Sequence, residues 1–202
     1  MKTLQEHILE KLINNQQVNE KLLINKHFES DDYFIYDHHS EGSYIQIFYE
    51  NFPEIFGYKN NVYINGKQIE INYDTGWTKE KFDDGIYKVE IKDIDEVENC
   101  TLMFARTRII KVPLFNTSKV KTMCGMFEEC KHLESVPKFD TRNCEEMDFM
   151  FEGCKTLKHV PLFDTSKVTN MKKMFSGCNN LSDDTQKQWS QIYDFFEENK
   201  IK

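Results

Sequence analysis

From residue 97 onward the chain repeats itself in steps of 24 residues. Val120, Cys144 and Val168 share one slot, and Met123, Met147 and Met171 share the next. Met126-Phe127, Met150-Phe151 and Met174-Phe175 follow in register, as do Cys130, Cys154 and Cys178 and then Leu133, Leu157 and Leu181. Pro113, Pro137 and Pro161 hold another slot, and so do Phe115, Phe139 and Phe163. A first copy over 97–104 is degenerate and one residue short before Pro113. Units of this length cannot bury their apolar faces alone and must stack on one another. A stack offers an extended surface, so the first expectation is binding rather than catalysis.

Each copy divides in two. Val168, Met171, Met174 and Phe175 stand at i, i+3, i+6 and i+7, a spacing that predicts one face of a helix. Asp164-Thr165-Ser166 supplies an N-cap for it, and Gly177, like Gly153 one copy earlier, sits where it should stop. Glu129 takes the third such position. The second part, for example 157–161, predicts a short strand stacked in parallel on 109–113 and 133–137. Proline has no N–H to give to a ladder, so these strands must end or bulge at Pro113, Pro137 and Pro161. The expected class is therefore α/β, a solenoid with a helix and a short parallel strand per repeat. Ser182-Asp183-Asp184 can start a final helix whose face carries Trp189, Ile192, Tyr193 and Phe196 and covers the end of the stack.

The first half has no repeat. Residues 1–14 predict an amphipathic helix through Leu4, Ile8 and Leu12, with a second short piece over 18–24. Residues 31–42 are polar and predict a loop around the strand-like run 33–36. Strands are expected at 43–49, 62–64, 68–73 and 86–91. Asn65-Gly66 between two alternating runs predicts a hairpin, because both residues accept positive φ. Asp74-Thr75-Gly76-Trp77 predicts a turn. The organisation expected is an acidic, mainly β domain with a leading helix over 1–95, a repeat solenoid over 96–181 and a capping helix over 182–202.

The charge divides along the same line. Residues 1–95 hold 10 Lys against 18 Asp and Glu, which accounts for the whole net charge of -8; residues 96–202 hold 16 of each sign. An acidic half argues against direct nucleic-acid binding, which needs Lys and Arg density, and suits a basic protein partner. No stretch reaches the roughly 18 apolar residues of a membrane span, and Gln5, Glu6, His7 and Glu10 interrupt any signal-peptide core. The expected localisation is the cytoplasm of a bacterial host cell, or a virion.

The string 150–157, MFEGCKTL, followed by 160–171, VPLFDTSKVTNM, resembles the BspA-like leucine-rich repeats, in the form seen in mycoplasma surface lipoproteins. The likeness covers about residues 97–181. It implies a leucine-rich-repeat-type solenoid and a role in protein binding or adhesion. The opening MKTLQEHILEKL looks similar to the N-termini of proteins of Bacteroides and their crAss-like phages, which implies a phage-encoded, intracellular or virion-associated protein.

The candidate chemistry is sparse. Cys130, Cys154 and Cys178 form a column, but a straight column does not converge as a zinc site must, so they are read as core and no metal or cofactor is expected. The Met and Phe columns recur at helical spacing in every copy and are read as core. Asp31, Asp32, Asp37, His38 and His39 could hold a metal, with a solvated loop as the competing reading. His132, Glu134, Lys158 and His159, together with Arg108, lie outside the repeat pattern and should face outward, either as partner contacts or as solvated surface. The expected function is a non-enzymatic protein–protein interaction module. The alternatives are a phage inhibitor of a host defence protein acting through the acidic half, and a structural protein of the virion.

Overall fold

A computed structural model describes residues 33–39, 42–49, 62–72, 74–92, 94 and 97–193. The helices expected at 1–14 and 18–24 lie outside the described residues, as does Phe196. Phe34–His38 forms β1. Val62–Ile64 (β2) turns through Asn65 (φ 49°) and Gly66 (φ 81°) into Lys67–Ile69 (β3), with Val62 opposite Ile69. The hairpin is the one that Asn-Gly predicts. Ile71–Asn72 (β4) pairs with Trp77–Thr78 (β5), and Gly85–Ile91 forms β6. Ile109–Lys111 (β7), from the repeat half, completes a five-stranded antiparallel sheet in the order β3-β2-β6-β1-β7. β1 thus lies between β6 and β7, and all five of its residues are buried.

Residues 43–49 depart from the expected strand. They make two single bridges, Ser43 to Phe82 and Gln46 to Trp77. The phenol of Tyr36 donates to the Ile47 carbonyl (2.7 Å), and Ile47 N and Phe48 N both donate to Gly76 O (2.9 and 3.3 Å). The segment divides its backbone bonds among the Tyr36 phenol, the turn at Gly76 and single bonds to Thr78, Phe82 and Met103, so no ladder forms.

The α/β expectation is overturned. The described residues are mostly β, with seven strands and one helix, and they hold no solenoid with a helix in each repeat. The reason lies in two columns of left-handed residues. Leu102, Gly125, Phe149 and Lys173 have φ between 55° and 58°; Arg106, Glu129, Gly153 and Gly177 have φ between 57° and 77°. A helix cannot contain a left-handed residue every fourth position. Its bonds go elsewhere. Phe127 N donates to Met150 O (2.9 Å) in the next copy, where a helix would bond Met123 O, and it is Met126 N that donates to Met123 O (3.1 Å). Gly125 N and Glu129 N likewise reach Asp148 O and Glu152 O. Met123, Met126 and Phe127 still point inward at the helical spacing, but from a chain of turns.

The copies stack through these bonds and through single parallel bridges. One line of bridges runs Asn99, Thr122, Glu146, Asn170; the other runs Lys111, Ser135, His159. The strands before each proline are therefore as short as expected. Asp164 does not cap a helix: its Oδ1 accepts from Ser166 N (2.9 Å), an Asx turn that Asn116 repeats with Ser118.

The core is continuous from sheet to stack. Phe104, Phe127, Phe151 and Phe175 form a ladder with centroids 5.5–5.7 Å apart and interplanar angles of 3–13°. Phe34 of β1 packs on the first ring at 5.1 Å. At the other end stands α1 (Asp183–Tyr193), begun by Ser182 Oγ accepting from Thr185 N (3.3 Å). Its Trp189 meets Phe175 and Phe163 edge-on at 5.4 and 5.6 Å and donates its indole N–H to Val160 O. Ring contacts of this kind add about 0.5–1.5 kcal/mol each beyond area burial.

Candidate functional site

Asp37 sits on the interior strand β1, opposite Ile86 of β6. Only 7% of it is exposed. The loop expected over 31–42 is thus wrong here: Asp37 and His38 are buried strand residues. Arg108, next to β7, clamps Asp37 three ways. Its carbonyl accepts from Asp37 N (3.0 Å), its Nε donates to Asp37 O (2.9 Å), and its guanidinium reaches Asp37 Oδ2 (3.1 Å). His132 Nδ1 stands 3.5 Å from the same Oδ2. His39 Nε2 lies 2.8 Å from Oδ1 but outside hydrogen-bond geometry, so among the described residues Oδ1 is a buried acceptor with no donor. The imidazole of His132 is held below its ordinary pKa, first by burial and then by the nearby Arg108 charge, with Asp37 opposing. His38 turns to the other side, with Nε2 3.2 Å from Ser43 Oγ and its ring edge-on to Tyr87.

A cleft of about 390 Å3 opens beside this cluster. Asp37, His38, His39, Tyr44, Gln46, Trp77, Arg106 and Arg108 contribute to its walls. A second, of about 570 Å3, shares Arg106 and Arg108 and runs past Glu128, Lys131 and His132. Arg106 pairs with Glu128 (3.2 Å) and lies over the Tyr49 ring at 5.5 Å.

The five residues singled out from the sequence separate into two sets. Arg108 and His132 converge on Asp37. Glu134, Lys158 and His159 remain exposed on the outer run of the stack, where Lys158 N donates to Glu134 O (2.9 Å) and His159 Nδ1 lies 3.2 Å from Ser182 Oγ. Leu114 and Leu162, one slot apart from Lys138 on either side in the 24-residue register, are 64% and 42% exposed. Sequence reasoning missed Tyr44, Gln46 and Trp77. The alternation of Tyr44 and Gln46 with the buried Ile45 and Ile47 was the signal that could have found the first two.

The cysteine column lies in the core, and it has a role there. Cys130, Cys154 and Cys178 each donate Sγ–H to a carbonyl of the preceding copy, Phe104, Phe127 and Phe151, at 2.9–3.0 Å. Burial pushes Cys130 and Cys178 up to about 12 and Cys154 well above its ordinary value. All six cysteines are free thiols. Among the described residues no group of three or more His, Cys, Asp or Glu is placed to hold a metal ion, and no helix is long and apolar enough to cross a membrane.

Residues 98–197, just under half of the chain, match a family described as "Mycoplasma protein of unknown function, DUF285". The match agrees with the mycoplasma-type wording of the repeat and carries nothing toward a Bacteroides or phage origin. No curated protein matches, and no solved structure matches.

Proposed function

We infer that the chain is a non-enzymatic protein-binding module whose contact surface is the outer run of the stacked copies. The observation that carries this reading is the pair Leu114 and Leu162, the most exposed large aliphatic side chains among the described residues, held 48 residues apart in sequence at one repeat position. An exposed leucine alone is ordinary. Here the backbone bonds between copies hold two in the same slot of a rigid ladder, in a run that also carries Glu134, Lys158 and His159. Apolar anchors within a polar rim are how protein interfaces are built. Adjacent Glu134 and Lys158 present opposite charges on neighbouring copies, which would set register with a partner more than affinity. The stack's interior is spent on its own packing, so variation in recognition would fall on these outer slots.

The test is affinity capture from the native cells with the full chain, set against the double variant Leu114→Asp, Leu162→Asp. A partner retained by the natural chain and lost from the variant is expected. A partner that binds both equally, or no stable partner at all, would refute the reading.

A further inference from the structure

The cleft beside β1 has features that an outer-face interaction does not use. Tyr44 and Trp77 are 42% and 37% exposed, and both line it. The backbone imposes this. Ile45 and Ile47 turn to the core, which leaves Tyr44 and Gln46 facing out, and the Gln46–Trp77 bridge sets the indole next to them. Gly76 makes the approach possible: at φ 72° its backbone lies so close to Phe48 that a Cβ would stand 2.1 Å from the Phe48 carbonyl oxygen. Two rings are thus held at the rim of a cleft and not spent on the core.

Asp37 forms part of the same cleft, and the group at its buried Oδ1 is His39 Nε2, 2.8 Å away but misaligned for a hydrogen bond. A better-aligned ligand donor would satisfy that acceptor more fully. Each arginine of the walls already holds a carboxylate: Arg108 meets Asp37 at 3.1 Å, and Arg106 meets Glu128, which lines the neighbouring cleft, at 3.2 Å. The walls therefore offer planar, forked polar groups whose charges are engaged within the protein. The volume, about 390 Å3, falls in the range of small-molecule pockets.

We propose that this cleft binds a neutral saccharide. A pyranose ring rests its apolar C–H face on Trp77 or Tyr44 and sets its hydroxyls against Asp37, Gln46 and Arg108. Each hydroxyl both donates and accepts, which matches a carboxylate beside a guanidinium. A simple anion would meet Asp37, and a simple cation would meet the two arginines. His39, whose ring is exposed, covers Oδ1 and is the group that a ligand hydroxyl displaces.

The chain has two tryptophans. Trp189 is fully buried, so a change in indole emission on adding sugar reports on Trp77. The experiment titrates the full chain with the methyl glycosides of glucose, galactose, mannose and N-acetylglucosamine, and with glucuronate as the anionic comparison. At least one neutral glycoside is expected to give a saturable change with Kd on the order of 1 mM. The affinity should be insensitive to salt up to about 0.5 M, because no net charge is paired. By calorimetry, Trp77→Ala and Asp37→Asn should each weaken binding about tenfold or more, Trp77→Phe should retain most of it, and Leu162→Ala should leave it unchanged. Tyr44→Ala, a surface change that leaves the core intact, should weaken binding severalfold. The proposal is overturned if no neutral glycoside saturates, if glucuronate alone binds, or if Trp77→Ala and Tyr44→Ala both bind as the natural chain does.

Discussion

Two substitutions decide between a helix and a chain of left-handed turns in each repeat, because the two arrangements demand opposite signs. Lys173 is exposed and has φ 55°, and Gly125 has φ 58° at the same slot two copies earlier. In a helix, Lys173→Gly would destabilise and Gly125→Ala would stabilise, each by about 0.5–1 kcal/mol. In the left-handed region a non-glycine residue costs about 1–2 kcal/mol. Lys173→Gly removes that cost. The glycine's extra freedom in the unfolded chain takes back about 0.5–1 kcal/mol, leaving a net gain of about 0.5–1 kcal/mol. The Glu152 carboxylate, 4.0 Å from the Lys173 ammonium, changes this little, since both groups are near solvent. Gly125→Ala acquires the strain, and its Cβ would stand 2.7 Å from Leu102 Cδ2, the movable end of a side chain. A net loss of about 1–2 kcal/mol follows. For a chain of this size each kcal/mol moves Tm by about 2–4 °C, which urea titration and thermal melts of the full chain resolve. Gly125→Ala melting higher, with Lys173→Gly melting lower, would refute the left-handed account.

Other perturbations probe the rest of the frame. Arg108→Ala leaves the Asp37 carboxylate buried without its charge partner and should cost about 3 kcal/mol in urea unfolding; adding Asp37→Asn should recover much of it, and strictly additive losses would deny the coupling. Phe151→Ala empties one rung of the ring ladder, between neighbours at 5.7 and 5.5 Å, and should cost about 3–5 kcal/mol, with a loss below about 1 kcal/mol contradicting the packing. Alkali should weaken the fold through the thiols. Unfolded cysteines ionise near 9.0, whereas folded Cys130 holds its proton to about 12. Stability from this group is therefore full below pH 9 and falls as pH rises from 9 toward 12, by about 1.4 kcal/mol per unit for each such thiol. Melts between pH 8 and 11 check it: the slope should flatten in Cys130→Val, and an unchanged slope would tell against the thiol. The same burial should leave Cys130, Cys154 and Cys178 unreactive toward a thiol reagent at pH 8 until the chain unfolds.

What could be read along the chain was whatever depends on near neighbours. Asn65-Gly66 specifies its hairpin because two adjacent residues supply the whole requirement for positive φ. The 24-residue register placed Cys130, Phe151 and Leu157 in a common interior, and Ser182 with Trp189 marked the closing helix. The helix within each repeat failed for a physical reason. Inward residues at i, i+3 and i+7 arise from 3.6-residue periodicity, and also from turns that alternate right- and left-handed residues. Gly125, Gly153 and Gly177 hinted at the second, but Leu102, Phe149 and Lys173 occupy left-handed slots without glycine, and bonds to Cys124 O and Lys172 O of the next copy hold the first two there.

The Asp37 cluster shows the other limit. A polar stretch rich in Asp and His reads locally as a loop. Asp37 is buried because β6 and β7 flank it, and its clamp, Arg108, is 71 residues away. Tyr44, Gln46 and Trp77 meet across a bridge that depends on the close approach of Gly76 to Phe48. The sequence by itself determined that copies stack and which side chains fill the stack, because a repeated pattern must bury a repeated face. Tertiary structure alone decided how each copy's backbone is satisfied and where the cleft lies, because those depend on hydrogen bonds and contacts between residues far apart in the chain.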